Sequence, residues 1–265
     1  MSDSTEKNNL NLFTWTSCGK TDVGKARKLN EDSMLVRPDA GMWVVADGMG
    51  GHEAGDVASR MVVDSLKEVQ PGKTLEKYIN DIEDTLINVN RTLVEIASQG
   101  DKPSTVGSTV VAMLAYEKFC AFLWAGDSRL YRIRNGQITQ LTTDHSQVQL
   151  YVEQGLISKE EAESHPHANM ITRAVGAAES FVLDVDMQEM EKGDRYLLCS
   201  DGLTKHIPDN DFEKILAKGD VEKKCNELID LTLARGAKDN VTAILVDIEL
   251  RNLVEQCFFK RYCIG

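Results

Sequence analysis

Apolar side chains recur along the chain in two kinds of pattern. Short runs rich in β-branched and aromatic residues predict strands, and longer stretches with apolar residues three or four positions apart predict amphipathic helices. Between two of the short runs, Asn135-Gly136 predicts a tight β-hairpin. The predicted strands are Met34–Arg37, Met42–Ala46, Ser108–Tyr116, Cys120–Ala125, Arg129–Ile133, Asp194–Ser200 and Val241–Ile248.

Two long amphipathic helices are predicted between the first strands and the middle ones, separated by Pro71-Gly72. Because this connection is short, we expect the two helices to form an antiparallel pair. A later helix is predicted over Val221–Ala234. The apolar faces comprise Val57, Ala58, Met61, Val62, Leu66 and Val69 in the first helix, Leu75, Tyr78, Ile79, Ile82, Leu86, Val89, Leu93 and Ile96 in the second, and Val221, Cys225, Leu228, Ile229 and Thr232 in the third.

The strands come in adjacent runs and the helices in separate blocks, which predicts an α+β fold with a sheet-on-sheet core covered by helices. One domain is predicted over residues 14 to 249, with a flexible leader at 1 to 13 and a tail at 250 to 265. The polar segment 144 to 176 is predicted to be a flap with short helices at His145–Gln154 and Ser158–Glu163. The tail fits either a terminal helix packed on the domain or a docking segment.

Composition narrows the class of protein. The chain has 265 residues, 42% of them hydrophobic, and a formal net charge of -12 without a clustered basic face, which argues against nucleic-acid binding. No secretion signal is visible at the N-terminus, and no apolar run approaches the ~18 residues of a transmembrane helix. The six cysteines show no C-x-x-C pair, which fits a reducing compartment. We therefore expect a monomeric, cytoplasmic protein.

The candidate chemistry lies in carboxylates placed where predicted strands begin or end. A single Asp-Gly after a strand normally marks only a turn. Several such acids brought together would repel, since a pair ~4 Å apart costs on the order of 4 kcal/mol at an effective dielectric of 20. A cluster would therefore need cations, and oxygen ligands suit Mg²⁺ or Mn²⁺. The acids are Glu31, Asp32, Asp47, Asp127, Asp201 and Asp239.

Short motifs around these acids follow one another in the order found in bacterial members of the protein phosphatase 2C family, the metal-dependent protein phosphatases. The resemblance covers roughly Trp15 to Ile248. It implies a four-layer α-β-β-α fold with metals at one end of the sandwich. The motifs are Thr21-Asp22-Val23-Gly24-Lys25-Ala26-Arg27-Lys28-Leu29-Asn30-Glu31-Asp32-Ser33, Asp47-Gly48-Met49-Gly50-Gly51-His52, Gly107-Ser108-Thr109, Ala125-Gly126-Asp127-Ser128-Arg129, Leu141-Thr142-Thr143-Asp144-His145-Ser146, Ser200-Asp201-Gly202-Leu203 and Asp239-Asn240-Val241-Thr242.

The resemblance also implies the ligands of two core ions, either Mn²⁺ or Mg²⁺. Asp47 would bridge the two ions, and Asp201 and Asp239 would complete the shell of the first. Glu31 and the carbonyl of Gly48 would bind the second.

Three further roles follow from the same resemblance. Asp32 would hold metal-bound water, Arg27 would clamp the substrate phosphate, and Asp127 with Asp201 would bind a third ion. The implied reaction is hydrolysis of phosphoserine and phosphothreonine in proteins by in-line attack of a water or hydroxide that bridges the two metals. The implied partners are phosphorylated proteins and a bacterial Ser/Thr kinase whose action the enzyme opposes.

One position departs from many eukaryotic members, which carry His directly after the Asp-Gly. This chain has Met49, which cannot donate a proton, so another group must protonate the leaving alcohol. His52 is interpreted as a surface or capping residue rather than as that acid.

Simpler interpretations stay open for several residues. Arg27 can be a surface charge, Asp127 a turn residue paired with Arg129, and His145 either a structural residue of the flap or a ligand. At the level of the whole protein, the alternatives are a catalytically inactive binding module of the same fold and a hydrolase for small phosphoesters or nucleotides.

Overall fold

The computed structural model describes residues 12–50, 54–99 and 105–251. Two antiparallel sheets form the centre of this part of the chain. The first sheet has the order β1-β11-β10-β7-β8, and the second has the order β2-β3-β5-β6-β9 with β4 paired to β3. The strands are β1 Phe13–Asp22, β2 Asp32–Arg37, β3 Met42–Gly50, β4 Val106–Ser108, β5 Val110–Tyr116, β6 Phe119–Ala125, β7 Arg129–Arg134, β8 Gln137–Gln140, β9 Asp184–Glu189, β10 Arg195–Cys199 and β11 Val241–Leu250.

Helices cover the outer face of each sheet. The pair α1 and α2 packs on the second sheet, and α5, α6 and α7 pack with the first. Side chains at the cap positions begin several of these helices: the Thr74 hydroxyl accepts from Lys77 N, and the Asp220 carboxylate accepts from Lys223 N. The helices are α1 Ala54–Lys67, α2 Leu75–Ser98, α3 Gln147–Glu153, α4 Lys159–Glu163, α5 Asp201–Thr204, α6 Asp209–Leu216 and α7 Val221–Ala234.

Alternation along the strands produces the layers. In β3, Trp43 and Val45 point into the space between the sheets and pack with Ile244 of β11, whereas Val44 and Ala46 point towards α1 and α2. A third apolar cluster lies between the first sheet and α5, α6 and α7. The predicted α+β class and four-layer α-β-β-α arrangement are thereby confirmed.

The hydrophobic pattern does not predict three of the strands, β1, β4 and β9. β4 ends at Ser108, where the predicted strand Ser108–Tyr116 begins. β1 begins at Phe13, so the strand includes the last residue of the predicted leader, and residues 1–11 of that leader lie outside the described part. β9 is a short edge strand of mostly polar residues. The predicted hairpin is present, with positive φ at Asn135 and Gly136, as its turn requires.

The predicted apolar face of the first helix is wrong at one position. Val57 is 46% exposed, and the buried stripe of α1 instead includes the small residues Gly55 and Ser59. Ile96, near the end of α2, is also exposed. Gly55 lies against Gly48 of β3, and Ser59 faces β2, where its hydroxyl lies 3.0 Å from that of Ser33. Close approach of α1 to β2 and β3 therefore determines which residues are buried at this end of the helix.

The polar segment predicted as a flap starts and finishes at the sandwich. Thr172 N donates to the carbonyl of His145, and Val175 pairs with Ser108 of β4. The segment between these two contacts contains the helices α3 and α4, and a serine hydroxyl caps the N-terminus of each. Residues 252–265 of the predicted tail lie outside the described part. None of the described helices combines the length and apolarity that crossing a bilayer requires.

Candidate active site

Two of the predicted acids lie opposite each other on neighbouring strands. Asp32 of β2 is the cross-strand partner of Asp47 of β3. The Ser200 and Thr242 hydroxyls each donate to Asp32 Oδ2 at 2.7 Å, so the start of β11 and the end of β10 hold this carboxylate. Asp32 is only 6% exposed, and its Oδ1 has no hydrogen-bond partner among the described residues.

Glu31 is fixed by its backbone. Its N–H donates to the Asn240 side-chain oxygen at 2.8 Å, and its carbonyl accepts from Gly48 N at 3.0 Å. Gly48 and Gly55 pass so close that a Cβ on Gly48 would lie 2.0 Å from the Gly55 carbonyl oxygen, and a Cβ on Gly55 would lie 2.5 Å from a Glu31 carboxylate oxygen. Both glycines are therefore required for Glu31, β3 and α1 to meet.

Asp239 and Asp201 each form an ion pair. Arg27 contacts Asp239 through two nitrogens, Nε to Oδ1 at 2.9 Å and Nη2 to Oδ2 at 3.1 Å, and its Nη1 lies 3.8 Å from Glu31 Oε2. Lys205, one turn after Asp201, pairs with Asp201 Oδ2. The Arg27 side chain is 48% exposed, yet it is tied to the acids, which argues against a simple surface charge.

Asp127 lies in the turn between β6 and β7. It is 8% exposed, and its Oδ1 has no partner among the described residues. Arg129 does not pair with Asp127; its guanidinium binds Asp144 at 2.7 to 3.0 Å, so the interpretation of Asp127 as the partner of Arg129 is wrong. Asp144 and Arg129 instead fasten the start of the flap segment to β7.

His145, at the start of the flap segment, contacts the turn between β6 and β7 that contains Asp127. Its Nδ1 accepts from Gly126 N at 3.1 Å, its Nε2 lies 3.2 Å from Asp184 Oδ2, and its ring stacks on Trp124. Burial lowers the pKa of His145, which favours the neutral ring that can accept this bond. His145 therefore positions the residue before Asp127.

Burial and mutual repulsion perturb the acids themselves. Burial, reinforced by Asp201 and Asp239, raises the pKa of Asp32 to about 7 despite the two hydroxyl donors. Burial, reinforced by Asp201 and Asp144, raises the pKa of Asp127 to about 7, while the Lys205 ammonium opposes that rise. Burial raises the pKa of Asp47 well above its usual value, and the nearby carboxylates of Asp32, Asp201, Asp127 and Asp239 raise it further. Acids far apart in sequence thus share one electrostatic environment.

The donor set fits hard divalent cations. All candidate donors are oxygens, and two of them, Asp32 Oδ1 and Asp127 Oδ1, are buried without a hydrogen-bond partner in the described part. As the side chains stand, no three acidic, His or Cys groups among the described residues form a ready metal-ligand cluster. In this arrangement Arg27 and Lys205 contact the carboxylates of Asp239 and Asp201.

The fold and the site together define a class: an α-β-β-α sandwich with an acid cluster at one end. The family model for protein phosphatase 2C matches residues 24–247. The chain belongs to the protein phosphatase 2C family, whose members are metal-dependent hydrolases.

Similar proteins come from several bacteria. The serine/threonine phosphatase stp of Listeria monocytogenes is 36% identical over 87% of this chain and 95% of its own length. The solved structure of PppA, described as a key regulatory component of T6SS in Pseudomonas aeruginosa, is 40% identical with a TM-score of 0.81, over 89% of this chain and 98% of that one. The catalytic domain of the phosphatase PstP, solved with 2 manganese ions, is 33% identical with a TM-score of 0.79, over 89% of this chain and 99% of that one.

Sequence reasoning did not identify the polar groups that support the acids. Ser200, Thr242 and Asn240 belong to the recognised motifs, but their side-chain partners are set by long-range contacts. Lys205 had a local signal, because it lies four residues after Asp201 in a helical turn, the spacing at which opposite charges meet. His52 and Gly51 lie outside the described residues.

Proposed function

We propose that this protein hydrolyses phosphoserine and phosphothreonine in other proteins. The observation that carries the proposal is the convergence of Asp32, Asp47, Asp127, Asp201 and Asp239, seen in the cross-strand pair and in their mutual effect on pKa. Such a concentration of buried acids is costly without cations and is typical of a metal-dependent hydrolase. The names of the relatives support the substrate class.

Two divalent ions, Mn²⁺ or Mg²⁺, are proposed to bind at this cluster, with a third beside them. Asp47 would bridge the two core ions, Asp201 and Asp239 would serve one, and Glu31 with the Gly48 carbonyl would serve the other. Asp127 and Asp201 would hold the third. When bound, such ions supply Lewis acidity that stabilises phosphoryl charge and makes water acidic enough to react near neutral pH.

Asp32 would hold the metal-bound water that attacks the phosphate and would accept its proton. Its Oδ2 is occupied by the Ser200 and Thr242 hydroxyls, which leaves Oδ1 as the free acceptor. Those two donors also fix the orientation of the carboxylate. Attack in line with the leaving oxygen then depends on positioning rather than on a covalent enzyme intermediate.

Arg27 would bind the phosphate of the substrate. Its guanidinium is a planar fork that can donate two bonds to phosphate oxygens, as it now does to the carboxylate of Asp239. Phosphate binding therefore requires Arg27 to exchange one anion for another. Met49 offers no proton to the leaving alcohol, so the donor lies elsewhere.

The proposed biological setting is bacterial signalling. Phosphorylated proteins would be the substrates, and a Ser/Thr kinase acting on the same proteins would be the opposing enzyme. The proposed enzyme would act as a monomer in the cytoplasm, the reducing compartment that its cysteine pattern fits.

The test is release of phosphate from a phosphothreonine peptide with Mn²⁺, with EDTA, and in Asp47→Asn and Asp201→Asn. Chelation removes the ions, and either substitution removes a carboxylate charge that would bind them, so each should abolish most activity. Asp84→Asn, an exposed acid on α2, is the matched control and should keep full activity. Activity that survives EDTA and both substitutions would overturn the proposal. If the enzyme strongly prefers small phosphoesters to phosphopeptides, the proposed substrate class is wrong.

A further inference from the structure

Lys205 is a cation inside the acid cluster that the proposed catalytic roles do not use. It directly follows α5, and its ammonium group pairs with Asp201 Oδ2. The Lys205 side chain is 39% exposed, so part of its stem is covered by protein.

The backbone holds Lys205 in this position. Leu203 is fully buried in the cluster beneath the first sheet, and Lys205 N donates to the Asp201 carbonyl at 2.9 Å. Gly202 lies so close to the start of β11 that a Cβ there would be 1.9 Å from the Asn240 carbonyl oxygen. The turn that carries both Asp201 and Lys205 is therefore anchored, and the ammonium has the Asp201 carboxylate as a fixed neighbour.

The charges of the cluster explain why a lysine is useful here. The predicted site contains the six carboxylates of Glu31, Asp32, Asp47, Asp127, Asp201 and Asp239, whereas Asp144 is already engaged by Arg129. Among the described side chains, Arg27 and Lys205 are the cations seen in ion pairs with these acids. Arg27 pairs with Asp239 and lies near Glu31, and Lys205 offsets charge at Asp201.

We propose that Lys205 is a built-in competitor for the divalent cation that binds at Asp201. This inference rests on the proposed function, because it concerns the ions of that site. An ammonium group and a dication bound to one carboxylate repel each other, whether they share an oxygen or use different oxygens. Lys205 thus offsets acid repulsion in the metal-free protein and weakens the binding of an ion at Asp201.

If Lys205 instead oriented Asp201 as a metal ligand, its removal would have the opposite effect on metal affinity. A residue that orients a metal ligand strengthens metal binding, and its removal weakens it. Metal affinity therefore separates a competitor from a positioning group without any measurement of catalysis.

The experiment measures Mn²⁺ binding directly, from the free-ion signal in electron paramagnetic resonance, for wild type, Lys205→Met, Lys205→Gln and Lys205→Arg. The two neutral variants should bind the affected ion about twofold to fivefold more tightly, the range expected for a partly exposed ion pair. Lys205→Arg keeps the charge and should bind as wild type does. Unchanged or weaker binding in the neutral variants would overturn the inference.

Two controls keep the outcomes distinct. Lys214→Met removes a Lys–Asp pair at i,i+3 on α6, outside the acid cluster, and should leave Mn²⁺ affinity unchanged. In EDTA, Lys205→Met should have a lower Tm than wild type, and saturating Mn²⁺ should remove the difference.

If Lys205→Met fails to fold, Lys205→Gln decides the sign of the effect. Wild-type protein that binds no Mn²⁺ would defeat the proposed function itself, whereas normal wild-type binding with unaltered neutral variants defeats only the role of Lys205.

Discussion

Asp32 and Asp47 are direct cross-strand partners on β2 and β3, although like charges at such positions repel. Nothing in the pairing of β2 and β3 requires two acids there. The donors to Asp32 come instead from the other sheet, through Ser200 and Thr242. The pairing therefore costs folding stability, a cost that cations bound under the proposed function would offset.

The first prediction concerns the pH dependence of stability in EDTA. Burial raises the pKa of Asp32 and Asp127 to about 7, whereas an unfolded Asp titrates near ~3.9. Between those values the folded state binds more protons than the unfolded state, so stability should fall as pH rises from about 4 to about 7. The measurement is the free energy of unfolding in urea across that range. Asp32→Asn should flatten the dependence, and Asp84→Asn should not; an equal slope in all three proteins would contradict it.

The second prediction concerns Asp127. If a third ion assists turnover, Asp127→Asn should lower kcat by at least about tenfold, which corresponds to about 1.4 kcal/mol of transition-state stabilisation. Manganese bound at the two core positions should be retained, because their proposed ligands are untouched. Metal stoichiometry and kcat measured on the same samples test both parts. Normal turnover in Asp127→Asn would show that Asp127 is only a residue of the turn between β6 and β7.

The third prediction concerns Arg27. Loss of charge-assisted bonds to phosphate in Arg27→Ala should cost about 1.5–3 kcal/mol, or roughly tenfold to 150-fold in kcat/KM. Arg27→Lys keeps the charge but loses the fork and should fall between wild type and Arg27→Ala. Steady-state kinetics on a phosphothreonine peptide measure the loss, with exposed Arg91→Ala on α2 as control. Equal kcat/KM in wild type and Arg27→Ala would show that Arg27 is a surface charge.

The fourth prediction concerns Gly48. In Gly48→Ala, the added Cβ would meet the Gly55 and Glu31 carbonyl oxygens at 2.0 and 2.6 Å, so backbone must move. We expect a loss of more than about 3 kcal/mol, above the usual range for overpacking, together with loss of activity.

Thermal and urea unfolding measure the stability loss in Gly48→Ala. Gly155→Ala is a suitable control, because its φ is +69° but no atom lies within 4 Å of the added Cβ. It reports the cost of backbone conformation alone and should leave activity intact. Comparable stability and activity in the two variants would show that the contact between β3 and α1 tolerates a side chain.

The sequence by itself determined the local features of this protein. Alternation and helical spacing depend on neighbours a few residues away, so they predict most strands, the long helices and the α7 range Val221–Ala234. The hairpin at Asn135-Gly136 is equally local, because only two residues must adopt positive φ. The identity of the acids at the strand ends, and the family that their order resembles, also come from the chain alone.

Only the tertiary structure decided which groups meet. Asp32 receives donors 168 and 210 residues away, which depends on how two sheets face each other and not on any local pattern. The exposure of Val57, the short edge strand β9 and the ion pair of Arg27 with Asp239 are decided in the same way. Local periodicity specifies which face of an element is apolar, whereas the register and packing of distant elements determine which polar groups become partners.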